Sequence, residues 1–251
     1  MIGLNGGLVG PRRSTSRLIA TGIYTNNERA LTERTDPFWN DVALLLHMNG
    51  TDGSTTITDS SRFGIPLTNS GAAISTAQSK FGGASCRFDS LNDRVTVNSG
   101  YSLALGKTDF TIEFWYYAVS AGPAGYGTYF DTRIIGDAAA NNIVIYHNSG
   151  TQLTCLLNNT AVNTTNALLS TWHHLAIARQ GTVTRCFLDG AQFGLISNDT
   201  AVYAASNQRP IIGNNINSDV NANAYIDELR ITRACRYAAD FTPPTAPFPD
   251  A

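Results

Sequence analysis

Acidic side chains are the first residues to weigh, because two of them acting together can hydrolyse a glycosidic bond. Such a pair needs two carboxyl groups about 5 to 9.5 Å apart on either side of the bond. Glu113 is the only acid of residues 110–117, a stretch with strand-like alternation. Asp227 and Glu228 are adjacent, so in an extended chain they point to opposite faces. The sequence therefore predicts no catalytic residues and no enzymatic activity.

The four histidines include one neighbouring pair, His173 and His174. Neighbouring residues of a strand diverge, so this pair cannot hold one metal ion without help from another element. We expect both rings to be structural and to pack beside Trp172. The sequence contains no Ser-His-Asp order and no phosphate-binding loop, which disfavours nucleophilic catalysis and nucleotide binding.

Aromatic and amide side chains suit a different chemistry, the recognition of sugars. A sugar presents apolar C–H patches beside hydroxyl groups, so exposed aromatic faces flanked by Asn or Asp match it. The candidates are two tyrosines of a Gly-rich loop, a third tyrosine, and two residues of the Asn-rich stretch 214–223: Tyr126, Tyr129, Tyr203, Asn215 and Asn217. Asn-rich stretches also form plain solvent-exposed turns, so both interpretations stay open.

The whole chain has the composition of a globular protein rich in strands and turns. Of its 251 residues, 43% are hydrophobic and only 14% are charged, where about a quarter is usual. The formal net charge of -2 gives no reason to expect nucleic acid as a partner. The cysteines are far apart and form no Cys-x-x-Cys motif. We expect buried free thiols at Cys86, Cys155 and Cys186, with disulfides as the alternative.

The N-terminal residues lack a charged head followed by an apolar run, which is the pattern of a signal peptide. No apolar run approaches the roughly 20 residues that cross a bilayer. We therefore expect synthesis in the cytoplasm without an ordinary secretion signal, and no membrane as a partner.

Short stretches with a two-residue repeat run through the chain from residue 37 onward. Residues 110–117 form the strongest predicted strand, with large apolar side chains on one face. Residues 172–179 and 183–188 predict a β-hairpin followed by an Asp-Gly turn. Further strands are predicted in residues 41–48, 81–88, 93–97, 133–136, 142–147, 151–157, 209–213 and 224–231, and a long loop in residues 118–129. Many short strands without a long helix predict an all-β sandwich.

Residues 1–36 differ from the rest and are predicted to form a short extended N-terminal arm, with the β-sandwich domain in residues 37–251. The arm has five arginines against three acids, a net charge of +2, which leaves -4 for the remainder. A Gly-rich basic segment buries little apolar surface alone, so it is either a disordered tail or an arm that orders against a partner. Nucleic-acid binding is a third interpretation, weakened by the lack of an aromatic platform. The docking interpretation assigns partner contacts to Leu4, Leu8, Arg12, Arg13, Arg17, Ile23 and Tyr24.

Several of these segments together resemble laminin-G-like (concanavalin-A-like) jelly rolls. The resemblance is carried by Leu44-Leu45-Leu46-His47, Ser79-Lys80-Phe81-Gly82-Gly83, the strand of residues 110–115, and Trp172-His173-His174-Leu175-Ala176 followed by Phe187-Leu188-Asp189-Gly190. It covers residues 37–251 and implies a jelly-roll fold. The end, residues 225–232 with Phe241-Thr242-Pro243-Pro244, is similar to variants common in bacteriophage structural proteins. Residues 6–13 also resemble leaders of phage tail and virion proteins.

The resemblance further implies a structural calcium ion. Members of this fold often hold one with carboxylates and turn carbonyls, and calcium takes six to eight oxygen ligands. Asp52, Asp59 and Asp227 lie in or beside turns at positions comparable to such members. The alternative is that Asp52 and Asp59 cap turns and that Asp227 pairs with an arginine.

The function implied by the resemblance is that of a non-enzymatic virion structural protein, in a tail, a fibre or a capsid decoration. The arm would dock on other virion proteins, and the jelly roll would contact host-surface glycans or reinforce the particle. Virion components are present in symmetric multiple copies, so we expect a homo-oligomer. The alternative is a free carbohydrate-binding module or adhesin.

Overall fold

Two antiparallel β-sheets pack face to face in the computed structural model, which describes residues 36–98, 103–122, 125–133, 141–148, 150, 152–164, 166–203 and 209–251. A 3-10 turn, Trp39–Asp41, precedes the first strand. The strands are β1 (Val42–Leu46), β2 (Leu67–Ser70), β3 (Ala73–Ser75), β4 (Ser85–Phe88), β5 (Arg94–Val97), β6 (Phe110–Ala118), β7 (Tyr126–Asp131), β8 (Ile143–Asn148), β9 (Leu153–Leu157), β10 (Thr160–Thr164), β11 (Trp172–Gln180), β12 (Val183–Leu188), β13 (Ala191–Ile196), β14 (Ile211–Ile212) and β15 (Ala224–Thr232).

The eight-stranded sheet has the order β13-β12-β11-β6-β15-β4-β3, and β1 pairs with β15 beside β4. The seven-stranded sheet has the order β10-β9-β8-β7-β14-β5-β2. In both sheets the central strand pairs join strands that are distant in sequence, such as β6 with β15 and β7 with β14, which is the arrangement of a jelly roll. The predicted all-β sandwich is confirmed.

Strand alternation explains why β6 is the centre of the eight-stranded sheet. Phe110, Ile112 and Phe114 point into the core between the sheets and are buried. The predicted hairpin of β11 and β12 is confirmed, with Ile177 opposite both Ile112 of β6 and Cys186 of β12. The buried strand predicted in residues 41–48 is also confirmed as β1.

The core holds three of the four cysteines as buried free thiols, as predicted: Cys86, Cys155 and Cys186. Their thiols act as small apolar groups between the sheets. Burial raises the pKa of Cys86 well above the usual range, and the contact with Cys186 together with burial does the same for Cys155, so neither is a ready thiolate.

The C-terminal segment, residues 233–251, forms a third layer over the outer face of the eight-stranded sheet. Phe241 and Tyr237 stack on one another at 3.6 Å and pack against Phe187 of β12. Phe248 packs against Val42 and Leu45 of β1. Its prolines keep this segment out of the sheet, because proline cannot donate a ladder hydrogen bond. The outer face of the eight-stranded sheet is therefore covered over β1, β11 and β12.

The third layer also brings the two ends of the described domain together. The backbone N–H of Asp36 donates a hydrogen bond of 2.6 Å to the carbonyl of Ala251. The carboxylate of Asp36 pairs with Arg230 at 2.9 Å and with Arg236. Burial alone would raise the pKa of Asp36, but the bond from Arg236 and the nearby Arg230 hold it below its ordinary value.

Residues 118–129 are not a single long loop, contrary to the sequence prediction, because β7 begins at Tyr126. The glycines there favoured a loop, yet Gly127 lies in β7. A glycine is needed at this position because a Cβ would lie about 3 Å from the carbonyl oxygens of Ala222 and Ala121. Strands β2, β3, β10 and β13 were not predicted either. The strand expected in residues 133–136 is not seen at Arg133, and its other residues lie outside the described ranges.

The described residues belong to one unit, Thr35–Ala251. The predicted docking residues Leu4, Leu8, Arg12, Arg13, Arg17, Ile23 and Tyr24 lie outside the described residues. Within the described ranges, no helix has the length and apolar character needed to cross a bilayer.

Candidate functional site

The outer face of the seven-stranded sheet carries a shallow groove over β7, β8 and β9. Alternation points Tyr126 and Thr128 of β7 away from the core, together with Val144 and Tyr146 of β8. Thr128 lies opposite Tyr146, and Val144 lies opposite Leu156 of β9. We call this the first groove; it is lined by these five residues with Arg133, Asn215 and Val220.

The first groove has an apolar floor with two phenol rings. Tyr126 is 48% exposed, and Tyr146 is partly exposed. The groove volume of about 190 Å³ is below the roughly 300–1,000 Å³ of pockets that enclose drug-sized ligands. The groove is therefore a shallow surface and not an enclosing pocket.

A buried carboxylate fixes Arg133 at the edge of the first groove. Asp131 is fully buried and accepts bonds from the Arg133 side chain, with Nη2 at 2.7 Å and Nε at 3.0 Å. Asp131 also accepts a bond of 3.1 Å from the backbone N–H of Ile216. A bidentate arginine–carboxylate pair holds its planar geometry well. The same carboxylate therefore orients the groove arginine and ties down the adjoining loop.

This adjoining loop, residues 213–223, is held by the side chain of Asn214, which is fully buried. Nδ2 of Asn214 donates to the carbonyls of Leu91 at 2.6 Å and Asp93 at 3.2 Å. Oδ1 accepts from the backbone N–H groups of Asn215 at 2.9 Å and Val220 at 3.3 Å. Asn side chains commonly replace backbone partners in this way. The Asn-rich stretch is thus a hydrogen-bonded wall of the groove.

A second groove lies on the other side of this loop, over β2, β5 and β14. Its lining combines two arginines with hydroxyl and isoleucine side chains: Arg94, Arg209, Thr68, Ser70, Thr96, Ser218, Ile211 and Ile216. The outward residues are in register, with Thr96 opposite both Thr68 and Ile211. Its volume is about 240 Å³. Loop 213–223 supplies walls to both grooves, Asn215 and Val220 to the first and Ile216 and Ser218 to the second.

Three of the five predicted sugar-binding residues lie on this side of the molecule. Tyr126 and Asn215 line the first groove, and Asn217 is exposed at the tip of loop 213–223. The amide of Asn215 is used mostly within the loop, because its Oδ1 accepts from the N–H of Asn217 at 3.1 Å and its Nδ2 donates to Asp219 at 2.7 Å. Tyr126 is therefore the predicted residue best placed to touch a ligand.

The other two predicted tyrosines were wrongly expected to be exposed. Tyr129 is completely buried, hydrogen-bonded to His147 and packed 4.8 Å from the ring of Tyr116. Tyr203 is 2% exposed and donates a bond of 2.8 Å to Asp199. A tyrosine can enter a core when its hydroxyl finds a partner there. Neither ring can stack on a sugar.

The three predicted calcium ligands each accept hydrogen bonds at a separate turn. Asp52 accepts from the N–H of Thr76 at 2.9 Å. Asp59 accepts four bonds with both oxygens, two of them from Ser61. Across the described ranges, no three His, Cys, Asp or Glu side chains converge as a metal set. The arrangement matches turn capping at Asp52 and Asp59, and calcium binding stays a prediction.

Asp227 does not pair with an arginine in the way the sequence alternative suggested; it binds backbone. Its Oδ2 accepts from the N–H groups of Lys80 at 2.8 Å and Phe81 at 3.1 Å. Its Oδ1 is buried and has no hydrogen-bond partner. Burial raises the pKa of Asp227 to about 7, against the lowering effect of these two backbone bonds.

Glu113, the acid weighed first in the sequence, is a structural group beneath the third layer. Its Oε1 accepts from Arg230 at 2.7 Å, and its Oε2 accepts from the hydroxyl of Tyr237 at 2.8 Å. Burial alone would raise its pKa, but Arg230 and then His174 hold the pKa of Glu113 well below the usual range. The carboxylate has no exposed surface and cannot reach a polysaccharide.

The two neighbouring histidines diverge, as expected for a strand. His173 bonds to Asp189 at 2.6 Å and to the carbonyl of Leu168 at 3.2 Å. His174 points to the other face, where its ring lies 5.1 Å from Trp115 and 3.3 Å from a Glu113 oxygen. Both rings are packed structurally.

Four residues that complete the two grooves were not predicted from the sequence. Tyr146, Arg133, Arg94 and Arg209 were not singled out. For Tyr146 a signal existed, because Val144 and Tyr146 alternate with core residues in β8. The arginines gave no such signal, since their convergence depends on strand pairing far apart in sequence.

A comparison with protein families bears directly on this sandwich. The family model described as Concanavalin A-like lectin/glucanases superfamily matches residues 88–240, more than half of the chain. The chain belongs to this family. The concanavalin-A-like match begins in β4, ends in the third layer and contains both β7–β9 and loop 213–223. The predicted laminin-G-like resemblance is confirmed. Among curated proteins, no match was found.

Solved structures similar to this concanavalin-A-like chain include two of a botulinum neurotoxin D binding domain and one of a mosquitocidal protein's binding domain. The receptor binding domain of botulinum neurotoxin D has a TM-score of 0.59 and 10% identity, covering 80% of this chain and 51% of that chain. The botulinum neurotoxin serotype D ligand binding domain in complex with N-acetylneuraminic acid gives 0.60 and 11%, covering 80% and 49%. The binding domain of Paraclostridial Mosquitocidal Protein 1 gives 0.57 and 15%, covering 80% and 50%. The chain spans about half the length of these proteins, and the likeness shows the fold.

Proposed function

We propose that this jelly roll is a carbohydrate-binding domain that acts without catalysis, and that its ligand lies in the first groove. The observation that carries the proposal is the pairing of two solvent-facing phenol rings, Tyr126 and Tyr146, on an apolar floor. A sugar ring can stack its C–H face on such a surface. Arg133, fixed by Asp131, and the wall of loop 213–223 supply polar groups at the edge.

The absence of catalysis in this proposal follows from the carboxylates near the site. Among the described residues that line the first groove, none is an acid. Two carboxylates adjoin the groove: Asp219, which accepts a bond of 2.7 Å from Asn215, and Asp131, which is fully buried and committed to Arg133 and Ile216 and so cannot act as a second acid. Glycoside hydrolysis requires two acids on either side of the bond. The groove is therefore proposed to hold a sugar and release it unchanged.

The comparisons support the class of ligand. A structurally similar domain, that of botulinum neurotoxin serotype D, is known in complex with N-acetylneuraminic acid, and the family includes lectins. These likenesses support a sugar as the ligand class, and the first groove is the place where this chain's own residues suit one.

The proposal is tested by glycan binding of Tyr126→Ala and Tyr146→Ala. A screen of immobilised glycans followed by calorimetry with the best soluble oligosaccharide gives the affinity of the wild type. We expect each substitution to weaken it about tenfold, since loss of one stacked ring removes about 1 to 1.5 kcal/mol. Phe63→Ala is the matched control, because Phe63 is 53% exposed and lies outside both grooves. Equal binding by all four proteins would place the sugar elsewhere.

We further propose that the domain is displayed on a bacteriophage virion, in a tail, fibre or capsid decoration, where it contacts host glycans or reinforces the particle. Support comes from the resemblance of residues 225–232 and 6–13 to phage structural proteins. In this proposal residues 1–36 dock on other virion proteins and the domain is present in several copies. A free carbohydrate-binding module or adhesin is the competing role.

Deleting residues 1–34 separates these roles, because the described unit begins at Thr35. Light scattering measures the oligomer, and sedimentation with particles that lack the protein measures attachment. We expect the truncated chain to stay folded and to lose attachment. Attachment without residues 1–34 would assign docking to the sandwich, and no attachment by the full chain would favour the free module.

A further inference from the structure

The second groove has a lining unlike that of the first, because it brings two arginines together among hydroxyl groups. Arg94 of β5 and Arg209, which precedes β14, both line it, and Nη1 of Arg94 donates to the hydroxyl of Ser218. Thr68, Ser70 and Thr96 contribute further side-chain hydroxyls. Among the described lining residues none is an acid. Guanidinium groups with flanking hydroxyls are a donor set for an oxyanion.

The two guanidinium groups act on one another electrostatically. Arg209 is 7% exposed, and burial lowers its pKa; Asp131 works against this lowering, and the positive charge of Arg94 adds to it. Asp131 also accepts three side-chain contacts from Arg133, so its negative charge is shared between Arg133 and Arg209. An anion between Arg94 and Arg209 would relieve their repulsion and would be held by both.

The two grooves are close enough for one oligosaccharide to reach both. Strand β7 of the first groove and β5 of the second are separated only by β14, so they lie two strand spacings apart, about 10 Å. The two sites are also joined by a bond, since Nε of Arg209 donates to the carbonyl of Arg133. Loop 213–223 stands between them and lines both.

We infer that the protein selects acidic glycans: a sugar ring stacks in the first groove, and a carboxylate or sulfate carried by the same chain binds between Arg94 and Arg209 in the second. The inference deepens the proposed function and rests on it for the presence of a glycan. Arginine binds carboxylate and sulfate-like groups through paired N–H donors, which gives selectivity as well as affinity. The hydroxyls of Thr96 and Ser218 complete the set.

Matched ligand pairs test this inference on the full-length protein. Calorimetry would compare sialyllactose with lactose, and trigalacturonate with its methyl ester, with inorganic sulfate as a probe of the anion alone. The variants are Arg94→Gln and Arg209→Gln, and Arg233→Gln is the control because its side chain is exposed in the third layer. We expect the acidic member of a pair to bind about tenfold more tightly, as one charge-assisted hydrogen bond allows. The preference should shrink as ionic strength rises toward ~0.15 M.

Loss of the acid preference in Arg94→Gln and Arg209→Gln, with binding of the neutral sugar kept, supports the inference. Equal affinity for both members of each pair in the wild type overturns it, as does a preference that survives both substitutions. If the neutral sugar binds, its binding depends on Tyr126 and Tyr146, and the acidic sugar binds no more tightly, then this inference is wrong and the proposed function stands. If no glycan binds but sulfate binds and Arg94→Gln abolishes it, the anion site stands and the carbohydrate proposal fails; if sulfate also fails to bind, both are wrong. If Arg209→Gln does not fold, Arg94→Gln alone tests the acid preference. Arg94→Gln should fold, because the hydrogen bond described for the Arg94 side chain goes to the hydroxyl of Ser218 on the outer face of the sheet.

Discussion

Nδ1 of His47 lies 2.9 Å from both carboxylate oxygens of Glu228, although 181 positions separate the two residues in sequence. His47 follows β1, and Glu228 sits at a bulge of β15 with a positive φ of 51°. Nε2 of His47 bonds to the exposed Asp250 at 2.7 Å. The histidine therefore fastens the third layer to the sheet below it.

We expect this contact to make stability depend on pH above neutrality. The bond to Glu228, and then that to Asp250, raise the pKa of His47 from 6.5 to about 9 against the opposing effect of burial. A histidine with a raised folded-state pKa stabilises the fold fully below pH 6.5, and that contribution is lost as the pH rises through about 9. Thermal unfolding between pH 6 and pH 10 measures it.

The matching substitution is His47→Gln, which should lower the free energy of unfolding by about 1–3 kcal/mol at pH 6 and by much less at pH 10. Asp250→Asn should have a smaller effect in the same direction, because Asp250 is largely exposed. A His47→Gln profile parallel to that of the wild type across the range would show that the pair is not coupled to folding.

Asp227 should show the opposite kind of pH dependence. Burial raises its pKa from 3.8 to about 7, so the folded state holds the proton more tightly than the unfolded state. The contribution of this carboxyl group to the free energy of unfolding is most favourable below pH 3.8 and declines as the pH rises to about 7. Asp227→Asn keeps a carbonyl oxygen for the N–H groups of Lys80 and Phe81. We expect the melting temperature of Asp227→Asn to rise relative to that of the wild type between pH 4 and pH 8. A constant difference between the two melting temperatures would contradict the raised pKa of Asp227.

Asp59 distinguishes turn capping from calcium binding. Its oxygens accept from the N–H groups of Leu45, Ser61 and Ile65 and from the Ser61 hydroxyl. We expect Asp59→Asn to cost about 1–3 kcal/mol in the presence of a chelator as well as with calcium, because the amide loses acceptors for these donors. Differential scanning calorimetry in both buffers measures this. A cost confined to the calcium-loaded sample, together with a lower melting temperature of the wild type in chelator, would instead support the calcium hypothesis.

Asn214 should control both grooves at once. Asn214→Ala leaves two carbonyls and two N–H groups of the loop without their partners, and we expect a loss of about 1–3 kcal/mol in stability. Binding in both grooves should weaken, because loop 213–223 lines both. Asn166→Ala is the control, since its side chain is exposed and lines neither groove. Stability loss with unchanged binding would show that the loop wall does not position the ligand.

The sandwich was predictable because its long strands carry clear alternation. The strands β6, β11 and β12 were predicted because apolar residues repeat at two-residue spacing, and β1 was predicted because its apolar run is nearly continuous. The strand β7 was not predicted, because Gly125 and Gly127 favour a loop. The reason for a glycine at 127 is the nearby carbonyl oxygen of Ala222, which the sequence does not reveal. The local sequence pattern predicts a strand only where side-chain burial decides the structure. It fails where close backbone contacts decide it.

The grooves were only partly predictable. Tyr126 and Asn215 were selected for exposed aromatic and amide chemistry, and both line the first groove. Tyr129 and Tyr203 were selected by the same reasoning and are buried, because His147 and Asp199 provide partners that sequence cannot reveal. Arg94 and Arg209 meet only through the pairing of β5 with β14, which has no signature in either segment.

The hydrogen bond between Asp36 and Ala251 holds the first and last residues of the described domain next to each other. Both ends leave from the layer behind the eight-stranded sheet, whereas the grooves lie on the far surface of the seven-stranded sheet. A designer could therefore insert residues 36–251 into a surface turn of a carrier protein, or reconnect the ends and open the chain elsewhere, without stretching the sandwich. Any carrier attached there would be turned away from the grooves and leave them free to meet a ligand.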